Sequence, residues 1–166
     1  MKNITLIGMP GAGKSTIGVI LAKSLLCDFT DTDLTIQKKT GKSLCKIIEE
    51  RGTEGFLQLE NDIICAEEFE NCVIATGGSA VFGKEAMEKL KAESTVIFLD
   101  VDVNELEKRL SNIRTRGVAM KEGTTVKELY DERLPYYQKY ADITLNCTGL
   151  TAEECVDMAV SALSKK

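Results

Sequence analysis

The sequence predicts an α/β fold built on a parallel sheet, and three observations point to it. Short β-branched runs alternate with amphipathic stretches along the chain, which is the pattern of repeated strand–helix units. The glycine-rich segment Gly8-Met9-Pro10-Gly11-Ala12-Gly13-Lys14-Ser15 joins the apolar run Ile4-Thr5-Leu6-Ile7 to Thr16-Ile17-Gly18-Val19-Ile20-Leu21, placing G-x-x-x-x-G-K-S at a strand-to-helix junction. The composition, 43% hydrophobic and 28% charged over 166 residues, is that of one globular domain with a real core, expected to span residues 1–166.

Each element follows from local pattern. Strands are predicted at Asn3–Ile7, Val73–Ala75, Thr95–Leu99 and Ile143–Leu145, with a shorter one near Phe29. Ile17, Ile20, Leu21 and Leu25 make one face of a helix after the glycine-rich loop. Val103, Leu106, Leu110 and Ile113 do the same downstream, starting at an Asp102/Glu105 pair with capping-box spacing. Thr125/Glu128 and Thr151/Glu154 repeat that spacing ahead of two further helices. Asn112–Thr124 has three basic residues, two glycines and no apolar period, which in a phosphotransferase suits a mobile lid. No internal repeat, low-complexity tract or long linker interrupts the series.

Composition narrows the partners. No apolar run approaches the ~20 residues that span a bilayer, so no membrane is expected, and a strand leading into a phosphate loop is not a signal peptide. Six cysteines include no C-x-x-C pair and the chain has no histidine, so a zinc site is not expected; reduced thiols in a cytoplasmic protein are the simpler reading. A net charge of −5 without a basic stripe argues against nucleic acid. A monomer is expected.

The chemistry starts at the loop. Its glycines allow a tight turn that brings backbone N–H groups close to phosphate oxygens, and the positive end of the following helix favours the same anion. Lys14 can reach β- and γ-phosphates, and the Ser15 hydroxyl can ligate Mg²⁺. Asp31-Thr32-Asp33 follows the second predicted strand, at the sheet edge that faces ligands in open α/β folds. One carboxylate there could support Mg²⁺ or take a hydroxyl proton while the other binds substrate hydroxyls; the alternative is a helix N-cap. In Ala75-Thr76-Gly77-Gly78-Ser79 the glycines permit close backbone approach to a ligand, or form an ordinary strand-to-helix turn. Only five arginines exist. Arg114 and Arg116 in the lid segment and Arg133 in Glu132-Arg133-Leu134-Pro135-Tyr136 could stabilise phosphoryl charge or grip a carboxylate, or be solvated surface charges.

In this order the pieces resemble the shikimate kinase family over essentially the whole chain: the loop, Asp31-Thr32-Asp33, Thr40-Gly41-Lys42-Ser43, Gly55-Phe56, Thr76-Gly77-Gly78, Arg114-Thr115-Arg116 and Glu132-Arg133-Leu134-Pro135-Tyr136-Tyr137. The resemblance implies a three-layer P-loop NTPase fold of the nucleoside-monophosphate-kinase type, with a five-stranded parallel sheet and a lid at 112–124. It implies ATP-dependent, Mg²⁺-assisted phosphorylation of a hydroxyl on a small carboxylated metabolite, shikimate to shikimate 3-phosphate in aromatic amino-acid biosynthesis. Roles follow by position: Gly11, Ala12, Gly13, Lys14, Ser15, Thr16 and Arg109 at the nucleotide, Ser15 and Asp31 at the metal, and Lys14, Asp31 and Arg116 in catalysis. Asp33, Leu57, Gly77, Gly78, Ser79 and Arg133 fall at the acceptor.

Three positions depart from the family pattern. Gly-Phe-Arg-x-x-Glu reads Gly55-Phe56-Leu57-Gln58-Leu59-Glu60, so an arginine that shares the acceptor's carboxylate is an isobutyl group, with Arg51 a possible substitute. The third glycine of the Gly-Gly-Gly turn is Ser79, and Gly117-Val118 replaces proline and leucine after the lid arginine, which should loosen the lid. The nucleotide half is intact and the acceptor half altered. Two other readings stay open: the same chemistry on another hydroxylated metabolite, and a nucleotide-binding regulator without catalysis.

Overall fold

The structure is a computed structural model that describes residues 2–110 and 117–165. Five strands, β1 (Asn3–Ile7), β2 (Asp28–Asp31), β3 (Cys72–Ala75), β4 (Ser94–Asp100) and β5 (Ile143–Asn146), form one sheet in the order β2-β3-β1-β4-β5. Every pairing is parallel, with Leu6 opposite Ala75 on one side and Ile97 on the other. All predicted strands are present, and the central three are buried as near-continuous apolar runs, as a sheet covered on both faces requires.

Seven described α-helices connect and cover the strands: α1 (Lys14–Leu25), α2 (Thr32–Thr40), α3 (Leu44–Ala66), α4 (Lys84–Glu93), α5 (Val103–Arg109), α6 (Val126–Tyr140) and α7 (Ala152–Leu163). Helix starts follow the sequence signals. Thr125 and Thr151 each close a complete capping box with Glu128 and Glu154. The Asp102/Glu105 pair does not: Asp102 caps α5 through Asn104 N, but Glu105 turns away to Arg109 and to the N–H of Gly149. A stronger cation and a loop N–H outcompete the cap.

Two apolar clusters result. The larger fills both sides of the sheet, around Leu6, Ile7, Leu21, Val73, Phe98 and Leu99. The smaller joins α2 and α3 through Ile36, Leu44, Ile47, Phe56 and Ile63, and takes in Ala119 from the loop before α6. The lid expectation divides here. Residues 112–116, including Ile113, Arg114 and Arg116, lie outside the described residues. Residues 117–124 form a loop seated on α3: a Cβ on Gly117 would lie 2.6 Å from Leu44 Cβ, and its φ of +67° is closed to proline. Glycine at 117 thus fits a close contact.

Because α6 carries Arg133, its cap bears on the site. Thr125→Ala removes a donor–acceptor pair at the first turn and is expected to lower unfolding free energy by about 1 kcal/mol. Urea denaturation checks this; an unchanged midpoint would show that the box contributes nothing.

Candidate active site

The carboxyl ends of β1, β2 and β3 point at one cavity of about 530 Å³, lined by Gly11, Lys14, Ser15, Asp33, Gly78 and Arg133 among others. This is where ligands bind in open parallel sheets, because loops diverge there and helix N-termini face inward. Lys14 is buried at the start of α1, and its Nζ donates to the carbonyls of Gly8 and Met9, 2.8 Å each. Burial lowers its pKa to about 8 even though Asp33 and Asp31 pull the other way.

Asp31 is the N-cap that one reading expected, and its second oxygen is held by the loop. Its Oδ1 caps α2, accepting from the N–H groups of Asp33 and Leu34, while Oδ2 accepts from Ser15 Oγ at 2.5 Å. Asp33 lies in the first turn of α2, recessed in the cavity wall. Burial, reinforced by the charge of Asp31 and opposed by Lys14, raises its pKa to about 6.

The turn after β3 closes the floor. Thr76 N and Oγ1 both donate to Leu6 O, Gly77 N donates to Thr32 Oγ1, and Tyr137 Oη donates to Gly78 O at 2.7 Å. Its glycines let polar side chains pack close to the backbone. A Cβ on Gly77 would lie 2.6 Å from Glu60 Oε1 and 2.7 Å from Asp33 Oδ1, and one on Gly78 would lie 2.8 Å from Arg133 Nη1. Arg133, 1% exposed on α6, is no surface charge. Its Nη2 donates to Ala119 O at 2.6 Å and its guanidinium lies over the Phe82 ring, but Nε and Nη1 have no partner. A buried guanidinium with unused donors in a cavity wall has the chemistry to hold an anion.

Glu60 is the residue that sequence reasoning missed. It is buried on α3, Ser79 Oγ donates to its Oε2 at 2.7 Å, and its Oε1 has no partner. Burial pushes its pKa from 4.5 to about 7, against the pull of Ser79, Arg133 and Lys14. The signal was available: an acid one turn after Phe56 and one turn before Ile64 is on the apolar face of its helix. Leu57, by contrast, does not line the cavity; it packs with Ile48 and Leu59 against the smaller cluster, and Phe56 faces the cavity instead. Arg51 is exposed and does not line the cavity.

On the far side of the loop, a second pocket of about 200 Å³ is lined by Gly13, Thr16, Arg109, Leu150 and Cys155. Arg109 borders both pockets, donating to Gly11 O and paired with Glu105. Ala12 is buried behind the loop. All six cysteines are free thiols. Among the described residues no cluster of three or more Cys, Asp or Glu forms a metal cage, and no helix is long and apolar enough to cross a membrane.

Known proteins share this arrangement. The sequence profile of shikimate kinase matches residues 10–164. The chain belongs to the shikimate kinase family. Its relatives include the shikimate kinase of Thermodesulfovibrio yellowstonii, 36% identical over 96% of this chain and 94% of that protein. The solved shikimate kinase from Acinetobacter baumannii, in complex with shikimate, is 30% identical with a TM-score of 0.90, covering 100% of this chain and 95% of that one. The shikimate kinase from Aquifex aeolicus is 32% identical with a TM-score of 0.82, over 98% and 96% of the two chains. Shikimate kinase family membership makes the chain an ATP-dependent kinase with a P-loop NTPase fold.

Glu60 gives this site a pH signature. An acid held at about 7 in the folded state and 4.5 when unfolded costs nothing well below 4.5; the cost accumulates as pH rises from 4.5 to 7, where only the unfolded chain has ionised, and is constant above. Glu60→Gln is therefore expected to lose less stability than the parent between pH 5 and 8, by up to about 3 kcal/mol. Parallel pH–stability curves would expose an error: if they have the same slope, Glu60 does not hold its proton.

Proposed function

We propose that the chain transfers the γ-phosphoryl group of ATP to a hydroxyl of shikimate, forming shikimate 3-phosphate. The observation that carries this reading is Arg133: a buried guanidinium with unpaired Nε and Nη1, in the same cavity as Lys14 and Asp33. A carboxylate on Arg133 places a small hydroxy acid between that anchor and the phosphate loop. Relatives named shikimate kinase support shikimate as that acid.

ATP lies with its triphosphate along Gly11–Thr16 and its base in the smaller pocket beside Arg109. Lys14 exchanges the carbonyls of Gly8 and Met9 for phosphate oxygens, neutralising charge as it develops. Asp33 orients the acceptor hydroxyl and accepts its proton. The hydroxyl oxygen bonds to the γ-phosphorus, the bond to the β–γ bridging oxygen breaks, and ADP leaves. Gly77 and Gly78 form the wall against which the acceptor rests, and Ser79 continues that wall towards Glu60. Arg116 follows the lid expectation as the arginine at the γ-phosphate.

Among the described residues, Mg²⁺ fits beside the phosphate loop. The Ser15 hydroxyl and Asp31 Oδ2 form a hard-oxygen pair at the loop's edge, and a site with so few protein ligands suits an ion that shares its coordination with phosphates and water. When bound, it would offset charge on the β- and γ-phosphates. Ser15 and Asp31 would hold it.

Three measurements test the reading. In a coupled ADP-release assay over a panel of hydroxy acids, shikimate is expected to give the highest kcat/KM; a parent enzyme that turns over another acid and not shikimate overturns the assignment. Lys14→Ala is expected to lower turnover by several orders of magnitude, and near-normal turnover would remove phosphoryl transfer from this loop. Arg133→Ala should raise the acceptor KM by roughly tens- to a thousand-fold while moving that of ATP little. Equal effects on both substrates would end the carboxylate assignment.

A further inference from the structure

Two buried groups of opposite character share the floor of the acceptor site without being joined. Glu60 Oε1 lies against the α-carbon of Gly77, and Arg133 Nη1 against that of Gly78, the next residue in the same turn. Both atoms are buried and both lack a partner. No ion pair between the two residues is present among the described residues, although each feels the other's charge. Buried away from water against successive residues of one turn, a carboxylate and a guanidinium attract each other strongly. Something holds them apart. On the arginine side Ala119 O accepts from Nη2, and on the acid side Ser79 Oγ donates to Glu60 Oε2.

We propose that Ser79 is a positioning residue for acceptor binding: by holding Glu60 Oε2 it keeps that carboxyl from closing onto Arg133, and so leaves Nε and Nη1 free for the acceptor's carboxylate. The inference rests on the reading of Arg133 as the carboxylate anchor. It also bears on a departure from the family pattern: Ser79, where that pattern has glycine, brings a hydroxyl that gives Glu60 a neutral partner. A glycine at 79 would leave both oxygens of Glu60 without a bond, against the turn that also meets the only buried guanidinium among the described residues. Other charged groups around Glu60 are Asp33 from α2 and Lys14 from α1. Asp33 repels Glu60, and Lys14 is already committed to Gly8 and Met9, so Arg133 is the partner that a released carboxyl would take.

A double-mutant cycle with shikimate and ATP decides the matter. Ser79→Ala is expected to raise the KM for shikimate about tenfold or more, with the KM for ATP unchanged. In a Glu60→Gln background, which replaces the charge that would quench Arg133, the same substitution should change the shikimate KM by less than about twofold. A Ser79→Ala enzyme with the parent's shikimate KM overturns the proposal. So does a tenfold effect that persists in the Glu60→Gln background, because Ser79 would then act by touching the acceptor itself. Arg133→Ala, run alongside, separates the two layers of reasoning. If it leaves the shikimate KM unmoved, the carboxylate anchor is wrong and the inference falls with it. If it raises that KM while Ser79→Ala does not, the anchor stands and only the role of Ser79 is lost.

Discussion

The turn from Thr76 to Ser79 is the constraint on which the rest of the site depends. It is tied to β1 through Leu6, to α2 through Thr32, to α6 through Tyr137 and to α3 through Glu60. Each tie comes from a different element, so the turn fixes where those elements stand relative to one another. Tyr137 reaches it because its ring is stacked on Phe98 of β4, 5.0 Å between centroids, which anchors α6 to the sheet. The absence of side chains at two successive residues lets acid and guanidinium pack directly on the backbone.

Electrostatics in this corner are dominated by desolvation rather than by pairing. Lys14 is shifted towards its neutral form and Asp33 and Glu60 towards theirs, each against the pull of an opposite charge. Each shift comes from burial and is of the kind that a ligand of opposite charge reverses. A polyphosphate beside Lys14 would favour its ionised form, and a carboxylate beside Arg133 would give that buried guanidinium a partner.

Much of this was legible from residues alone, for identifiable reasons. The glycine-rich loop, all five strands and two capping boxes are local patterns, and local patterns survive folding when nothing stronger competes. Asp102/Glu105 shows the opposite case: the spacing was right, but Arg109 and the Gly149 amide offered Glu105 better partners. Arg133 was ambiguous between surface and site, since burial of an arginine is decided by elements far away in sequence. Glu60 was legible by its spacing from Phe56 and Ile64 as an acid on the apolar face of α3, but which of its oxygens goes unbonded depends on Ser79, far away in sequence. Leu57 was placed at the acceptor by resemblance, yet the rotation of α3 turns Phe56 to the cavity and Leu57 to the smaller cluster.

The sheet has a further consequence, for the protein's behaviour in a crowded solution. Its two open edges are β2 and β5, each only four residues long. Asp28 and Asp31 bracket the first, and Asn146 ends the second. An unpaired edge is a template for a foreign strand in proportion to its length and apolarity. Here the longest strand, β4, and the wholly apolar β3 are enclosed between neighbours, while the strands left exposed are short, partly polar and, at β2, negatively charged. The architecture that gathers phosphate loop and acceptor floor at the sheet's centre thereby leaves little edge for aggregation to extend.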